Sequence, residues 1–518
     1  MIKNFNGKAL SSIIKSSFAV SFFSLLNVVF LFVLEMFLAR FFGTSIEMDC
    51  YLAAVSLPDL FVTVAILGFN YALIPTLVAK LNSDEPQLAF QILNSWLNLS
   101  IIILVTIGLM GTLFSNQLVK LFFPGFSIDK VNLTADLLKM YFPVLVFKSS
   151  ATMLSSIYFA RQKFFLAPLV PVIGSICALT LLLIFVQEVG IYIAPVAISI
   201  SSLIQFLILV GVYLFQGNYR FEIRWNDTDF KLIGKLMLPL IIGGIFTNSI
   251  FLVDRNIASN LDAGAISTLG YATKIIRVVL LIGLGGLSVV ALPKVSELIA
   301  IKDYNQLQNL NRKALSGILF VSTLFYIILF NFGEQLISVL FQYGSFSSAD
   351  SRNVANTIIF YGGYLIFGAL GTHLSILFYA IPDTKTPVII GISVFIVGYI
   401  LKIWFSSFMG YKGIALATTI YYALSILLTI FFIQKKEIKF FSLKELLIDF
   451  SKFLVIGVIF MILNLVFQSM FSNFDLISLF IGVIVTIFGF IFFSFLLKIE
   501  LSSIKLVKRL REGLSNEL

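Results

Sequence analysis

Apolar residues fill this chain in runs of about 20, broken by short polar stretches, and within each run they are continuous rather than alternating. Only helices and closed barrels satisfy their backbone groups in hydrocarbon, and a barrel strand would alternate. By this length criterion about fourteen helices are predicted. They cover residues 16–42, 50–78, 90–114, 137–160, 166–187, 191–215, 233–257, 265–293, 314–340, 354–381, 387–409, 412–433, 447–470 and 476–497. The fourth, eighth and tenth are the least regular, since they contain Lys148, Lys274 with Arg277, and His373. The first run is too long, and too poor in small residues at its end, for a cleaved signal peptide, so a retained helix is expected.

Composition places the chain in lipid. Hydrophobic residues make up 59% and charged residues 12%, against about a quarter charged in soluble domains. Two distant cysteines, Cys50 and Cys177, and a single histidine leave no metal spacing and no disulfide framework. No Walker A sequence, nucleotide loop or nucleophile–base arrangement is present. The expectation is therefore a transporter, not an enzyme. It would use no cofactor, and its drive would be an ion gradient, the membrane potential or the substrate gradient.

Lys and Arg positions set an expected orientation. With the amino terminus cytoplasmic, about 25 of them fall on the cytoplasmic side and about six (Arg40, Lys120, Lys130, Arg352, Lys402 and Lys412) on the other. Both termini are expected in the cytoplasm. The net charge of +10 then reflects basic loops facing anionic headgroups and calls for no nucleic-acid partner. FYAIPDTKTPV (378–388) reads as a tight cytoplasmic turn: Pro382 stops one helix, Thr386 caps the next, and Pro387 takes its first position.

A similar corner, YFARQKFFLAPLV, occurs at 158–170, with Ala160 and Ala380 in matching places. LFFPGF (121–126) likewise echoes LFQYGSF (340–346), and ALIPTL (72–77) echoes ALPKV (291–295). Three echoes in order at one offset indicate duplication. The expected layout is an N-lobe of helices one to six (1–217), a connector (218–232) and a C-lobe of helices seven to twelve (233–433). Two further helices (434–498) and a basic tail (499–518) complete it. Each repeat holds an even number of helices, so the two are parallel, with a transport path expected between them.

These features resemble the MurJ/MviN-type lipid II flippases of the multidrug/oligosaccharidyl-lipid/polysaccharide exporter superfamily. The resemblance runs over about residues 16–433. It is carried by LARFFGTSIEMDCYLAAVSLPDL (38–60), VDRNIASNLDAGAISTLGYATK (253–274), LFQYGSFS (340–347) and FYAIPDTKTPV. The family usually carries cavity arginines on its first two helices, where this chain has Val28, Leu34, Val62 and Thr63.

Ionisable groups inside a bilayer are costly and mark functional candidates. Lys274 and Arg277, three residues apart, share a helix face. They could clamp a diphosphate, Arg bidentately and Lys as a point charge, or pair structurally with acids. The resemblance also places Lys274 on the family's basic position in helix eight. Lys148 and Arg255 are further diphosphate candidates, each with a local structural role as the alternative. Asp59, Glu35, Asp49 and Asp254 are coupling or gating candidates for a proton or sodium ion, with Asp49 equally readable as an N-cap. Asp383, Thr386 and Pro387 form the corner rather than a substrate site. His373 reads as a packed, hydrogen-bonded residue.

The resemblance implies a flippase moving a polyprenyl-diphosphate-linked saccharide, lipid II or similar, to the outer leaflet of the bacterial plasma membrane by alternating access. Membrane lipids and cell-envelope synthesis proteins are candidate partners. The alternatives are an O-antigen or exopolysaccharide repeat-unit flippase, a multidrug/cation antiporter, and a non-transporting scaffold of cell-wall synthesis.

Overall fold

A computed structural model of the chain describes the backbone of residues 7–83, 86–217, 219–381, 383, 385–436, 438–470 and 476–497. Side chains are described from 19 on, except within 282–293 and 464–476. The described residues form helices and no strands. Pro382, the expected helix stop, and the basic tail 499–518 lie outside the described residues.

Packing divides the chain into two units. The first comprises Met1–Ser267 with Tyr343–Phe346. Its helices are α1 (Gly7–Phe42), α2 (Ile46–Gly68), α3 (Ile74–Leu81), α4 (Pro86–Leu113), α5 (Ser115–Phe122), α6 (Ile128–Ala160), α7 (Leu166–Val189), α8 (Ile193–Phe215), α9 (Thr228–Asn248) and α10 (Ile250–Ala258). A π-helical turn, Phe69–Leu73, joins α2 to α3. Ser45 caps α2, Ser127 caps α6, and Asp227 caps α9 by accepting from the N–H groups of Asp229 and Phe230. The buried core of this unit includes Leu73, Leu77, Ile92, Met153, Leu154 and Ile233.

The second unit comprises Thr268–Gln342 and Ser347–Leu518. It holds most of α11 (Ala265–Ala300), then α12 (Tyr304–Phe341), α13 (Ser348–Phe360), α14 (Ala369–Ala380), α15 (Lys385–Met409), α16 (Tyr411–Gln434), α17 (Leu443–Met470) and α18 (Leu476–Leu496). A capping box of Ser347 and Asp350 starts α13. The two additional helices pack on α12, where Phe320 lies 5.0 Å from Phe490 and Asn331 donates to the Phe460 carbonyl. Packing of this kind, rather than the hydrophobic effect, holds helices together in lipid. Large exposed side chains such as Leu109, Ile400 and Phe488 would be a liability in water and are the lipid-facing surface here.

Among the described residues, eleven helical segments are long and apolar enough to cross a membrane, or up to twelve when Ser348–Phe360 and Tyr364–Ala380, bent by 53°, are joined as one. The expected fourteen is not reached by this count. Two local reasons are visible. Leu166–Phe215 passes as one 50-residue segment although Gly190 breaks it into α7 and α8. Within α11, the side chains of 282–293 are outside the description.

The division into units does not follow the repeat boundary expected near 217–233, and one reason lies in the loop 343–346. The Ser345 N–H donates to the Arg40 carbonyl (2.8 Å), and Gly344 at φ +63° lies against that same carbonyl. Gly43 in turn lies against the Ser345 carbonyl. An equivalent contact occurs elsewhere in the unit, where the Gly125 N–H donates to Ser259 Oγ (3.3 Å) and Asn256 Nδ2 to the Phe122 carbonyl (2.6 Å). Gly125 and Gly344 are 219 residues apart, as are Arg40 and Ser259. The glycine loop of each sequence repeat thus docks on the helix end belonging to the other repeat.

Gly344→Ala is expected to destabilise the protein strongly. A Cβ there would strike the Arg40 carbonyl, in addition to the roughly 1–2 kcal/mol of left-handed backbone strain. Gly190→Ala has the same sign of φ, +63°, and open space around it, so it should show the strain alone. Comparing apparent melting temperatures of the two variants in detergent checks the difference.

Candidate functional site

Asp49 sits in the first turn of α2 but caps another helix. Its own helix is capped by Ser45, whose Oγ accepts from the Met48 N–H at 3.3 Å. The Asp49 carboxylate instead accepts from the N–H groups of Gly264 and Ser267, both at 2.7 Å. These are orphan donors at the start of α11, whose preceding residue is a glycine with no side chain to satisfy them. Asp49 is 2% exposed. The N-cap reading is therefore corrected: the cap is across 215 residues, not local.

Asp59, beside Pro58 in α2, is half-buried and accepts from the Tyr141 hydroxyl of α6 at 2.8 Å. Glu35 on α1 is also half-buried. Both carboxylates act electrostatically on the buried Tyr51 and Tyr141, so the two coupling candidates share one neighbourhood in the first unit. Arg255 on α10 donates to the Leu52 carbonyl (2.7 Å), one residue past Tyr51. Asp254 is buried.

The diphosphate candidates divide between the units. Lys148, half-buried on α6, precedes the fully buried Ser149 and Ser150. Lys274 and Arg277 lie on α11 in the second unit, Lys274 half-buried and Arg277 exposed. Of the positions where the family carries arginines, Leu34 and Val62 are buried, while Val28 is half-buried and Thr63 exposed. Lys402, counted above among residues outside the membrane, is fully buried on α15, so it carries no topological information.

The corner at 378–388 is built around Asp383. Its N–H donates to the Phe378 carbonyl (3.0 Å) at the end of α14. Its carboxylate accepts from the Thr386 N–H (3.0 Å), the Thr386 hydroxyl (2.7 Å) and Lys436 Nζ (2.7 Å). Asp383 is thus the cap, and Thr386 and Pro387 lie inside α15, which starts at Lys385. The first-unit corner has the same frame: the Lys163 N–H donates to the Tyr158 carbonyl (2.8 Å) and Arg161 donates to Gln216 (3.1 Å). Lys163 and Asp383, and Gln216 and Lys436, are each 220 residues apart.

Burial raises the Asp383 carboxyl pKa, but the bonds from Lys436 and Thr386 outweigh it and hold the group at about 2. A folded-state value below the unfolded one, about 3.9, stabilises the fold above that pH, and the contribution is lost as pH falls through about 2. Asp383→Asn should therefore lower thermal stability at pH 7 and narrow the gap to wild type near pH 2. It should reduce transport only modestly, with substrate affinity unchanged. A large affinity loss with stability intact would make this turn a ligand site.

His373 is packed as expected. Its Nε2 lies 3.2 Å from Asn311 Oδ1, and Asn311 Nδ2 donates to the Phe440 carbonyl (3.0 Å). A carbonyl only accepts, so the amide orientation is fixed and Nε2 must carry the proton. The first unit uses the same device: Asn98 Nδ2 donates to the Glu222 carbonyl (3.1 Å) and Tyr219 donates to Asn98 (3.0 Å). Arg224 adds bonds to Ser95 and Gln91. The connector is therefore laid along α4 by Gln91, Ser95 and Asn98. Their i, i+4, i+7 spacing was a usable sequence signal that the apolar count ignored.

Known proteins are similar to this chain in sequence and in fold. A model of the family described as "Lipid II flippase MurJ" matches residues 38–485. The probable lipid II flippase MurJ of Buchnera aphidicola subsp. Baizongia pistaciae is 30% identical over 425 residues, covering 79% of this chain and 81% of that protein. The Thermotoga maritima relative, also a probable lipid II flippase MurJ, is 26% identical over 489 residues and covers 94% and 98%. Among solved structures, a lipid II flippase MurJ in an inward closed conformation matches with a TM-score of 0.77 at 23% identity, covering 93% and 98%. An inward-facing multidrug resistance MATE family transporter matches at 0.70 and 14%, covering 79% and 94%. The fold is common to both groups, whereas the family model covers most of this sequence specifically, and the chain belongs to the lipid II flippase MurJ family.

Proposed function

We propose that this chain carries lipid II from the cytoplasmic to the outer leaflet of a bacterial plasma membrane by alternating access. The family match over residues 38–485 carries the reading. Lys274 and Arg277 support it as a diphosphate clamp, since they put two cations on one helix face. Asp59 and Glu35, gathered near Tyr51 and Tyr141, are the proposed seat of a coupling proton or sodium ion. An inside-negative potential favours outward movement of an anionic headgroup by about 2.3 kcal/mol per charge per 100 mV. The matched corners at 158–170 and 378–388 support a duplicated chain with two six-helix repeats, 1–217 and 233–433.

The apolar residues at Leu34 and Val62, both buried, favour one second reading, a flippase for another polyprenyl-diphosphate saccharide. Complementation separates the two. Expression in cells depleted of their lipid II flippase should restore growth and lipid II exposure at the outer surface. Failure there, with rescue of cells lacking an O-antigen repeat-unit flippase, would select the second reading.

The orientation has its own test. Single cysteines in 116–130 or 344–350 should react with an impermeant thiol reagent on intact cells, and those in 218–229 or 435–445 should not. Reversed labelling would reverse the proposed direction of transport.

A further inference from the structure

Between α8 and α9 the connector presents large exposed aromatics: Phe215 is 94% exposed, Phe221 74% and Trp225 57%. They continue the exposed apolar rows of the flanking helices, Leu207 and Leu214 on α8 and Leu236, Leu238 and Ile242 on α9. Those rows are the lipid-facing surface, so the aromatics lie where it meets the headgroups. The connector is also held in place, because Gln91, Ser95 and Asn98 bind it to α4.

Its charges are unequally used. Asp229 pairs with Lys80 (2.6 Å), Glu222 with Arg224 (3.8 Å), and Asp227 caps α9 while facing Arg224 (3.7 Å). Among the described residues, Arg220, Lys231 and Lys235 make no salt bridge, and all three are exposed. Lys231 and Lys235 are one helical turn apart, immediately before the apolar row of α9. The connector and the first turns of α9 therefore carry exposed ring surface together with three exposed cations that make no salt bridge among the described residues.

We propose that this strip is a docking site for anionic phospholipid headgroups, held by Arg220, Lys231 and Lys235, with Phe215, Phe221 and Trp225 set among the upper acyl chains. Charge complementarity selects the occupant: a zwitterionic headgroup offers the same apolar contact but no net charge to answer the three cations. The inference does not depend on which saccharide is carried or on which side of the membrane the connector lies.

Trp225 provides the readout. The full-length protein is placed in nanodiscs of phosphatidylcholine containing, at equal mole fraction, either brominated-chain phosphatidylglycerol or brominated-chain phosphatidylcholine. Trp225 emission is taken as the difference between wild type and Trp225→Phe. Brominated phosphatidylglycerol should quench it roughly twofold or more beyond brominated phosphatidylcholine. The excess should vanish in high salt and in the triple variant Arg220→Gln, Lys231→Gln, Lys235→Gln. Should that variant fail to fold, the salt arm decides alone. Equal quenching by the two lipids would reduce the strip to a nonselective interfacial belt, and absence of quenching would place the connector in water; either overturns the proposal.

Discussion

Lys274→Ala and Arg277→Ala are each expected to abolish lipid II exposure at the cell surface while the protein still reaches the membrane. A charge-assisted hydrogen bond to phosphate contributes about 1.5–3 kcal/mol, which corresponds to roughly 10- to 100-fold in affinity per residue. Arg277 is exposed and Lys274 half-buried, so the first should tolerate replacement structurally better than the second. Arg277→Lys should recover only part of the activity, because a planar bidentate fork is replaced by a point charge. The useful measurement pairs outer-leaflet lipid II with membrane-fraction protein level. Normal transport in the double alanine variant would move the diphosphate site elsewhere, with Lys148 on α6 the next cation to test.

The all-helical membrane architecture was legible because continuous apolar runs have one cheap solution in hydrocarbon. Repetition was legible too: the offset between LFFPGF and LFQYGSF marks the loops that hold Gly125 and Gly344. Their exchange of docking partners was not, because a linear echo says nothing about which helix end each loop meets. Asp383 shows a similar limit. Local rules offered Thr386 as the cap, but Lys436 lies 53 residues away, and its charge makes the aspartate the better acceptor. Lys402 was miscounted for the same reason: near a helix end, a lysine serves either the interface or the interior, and only packing separates these.

Asp49→Ala should be among the most destabilising single changes in the chain. The carboxylate lies between two helix N-termini, its own in α2 and that of α11, and both favour negative charge. It is the acceptor for two buried backbone donors, Gly264 and Ser267. Leaving each of them unsatisfied costs about 1–3 kcal/mol, so the sum is enough to lower an apparent melting temperature by roughly 5 °C or more. Asp49→Asn should lose nearly as much, since an amide offers one oxygen to two donors. The functional consequence follows along α11: Lys274 lies seven residues past Ser267, about 10 Å further at 1.5 Å per residue. A frayed helix start would therefore misplace the proposed clamp. The competing view makes Asp49 a binding site for a coupling cation, and it forecasts the opposite pairing, with lost transport in Asp49→Asn and unchanged stability. Melting and transport measured on the same Asn variant decide between them, because a cap must fail in stability first.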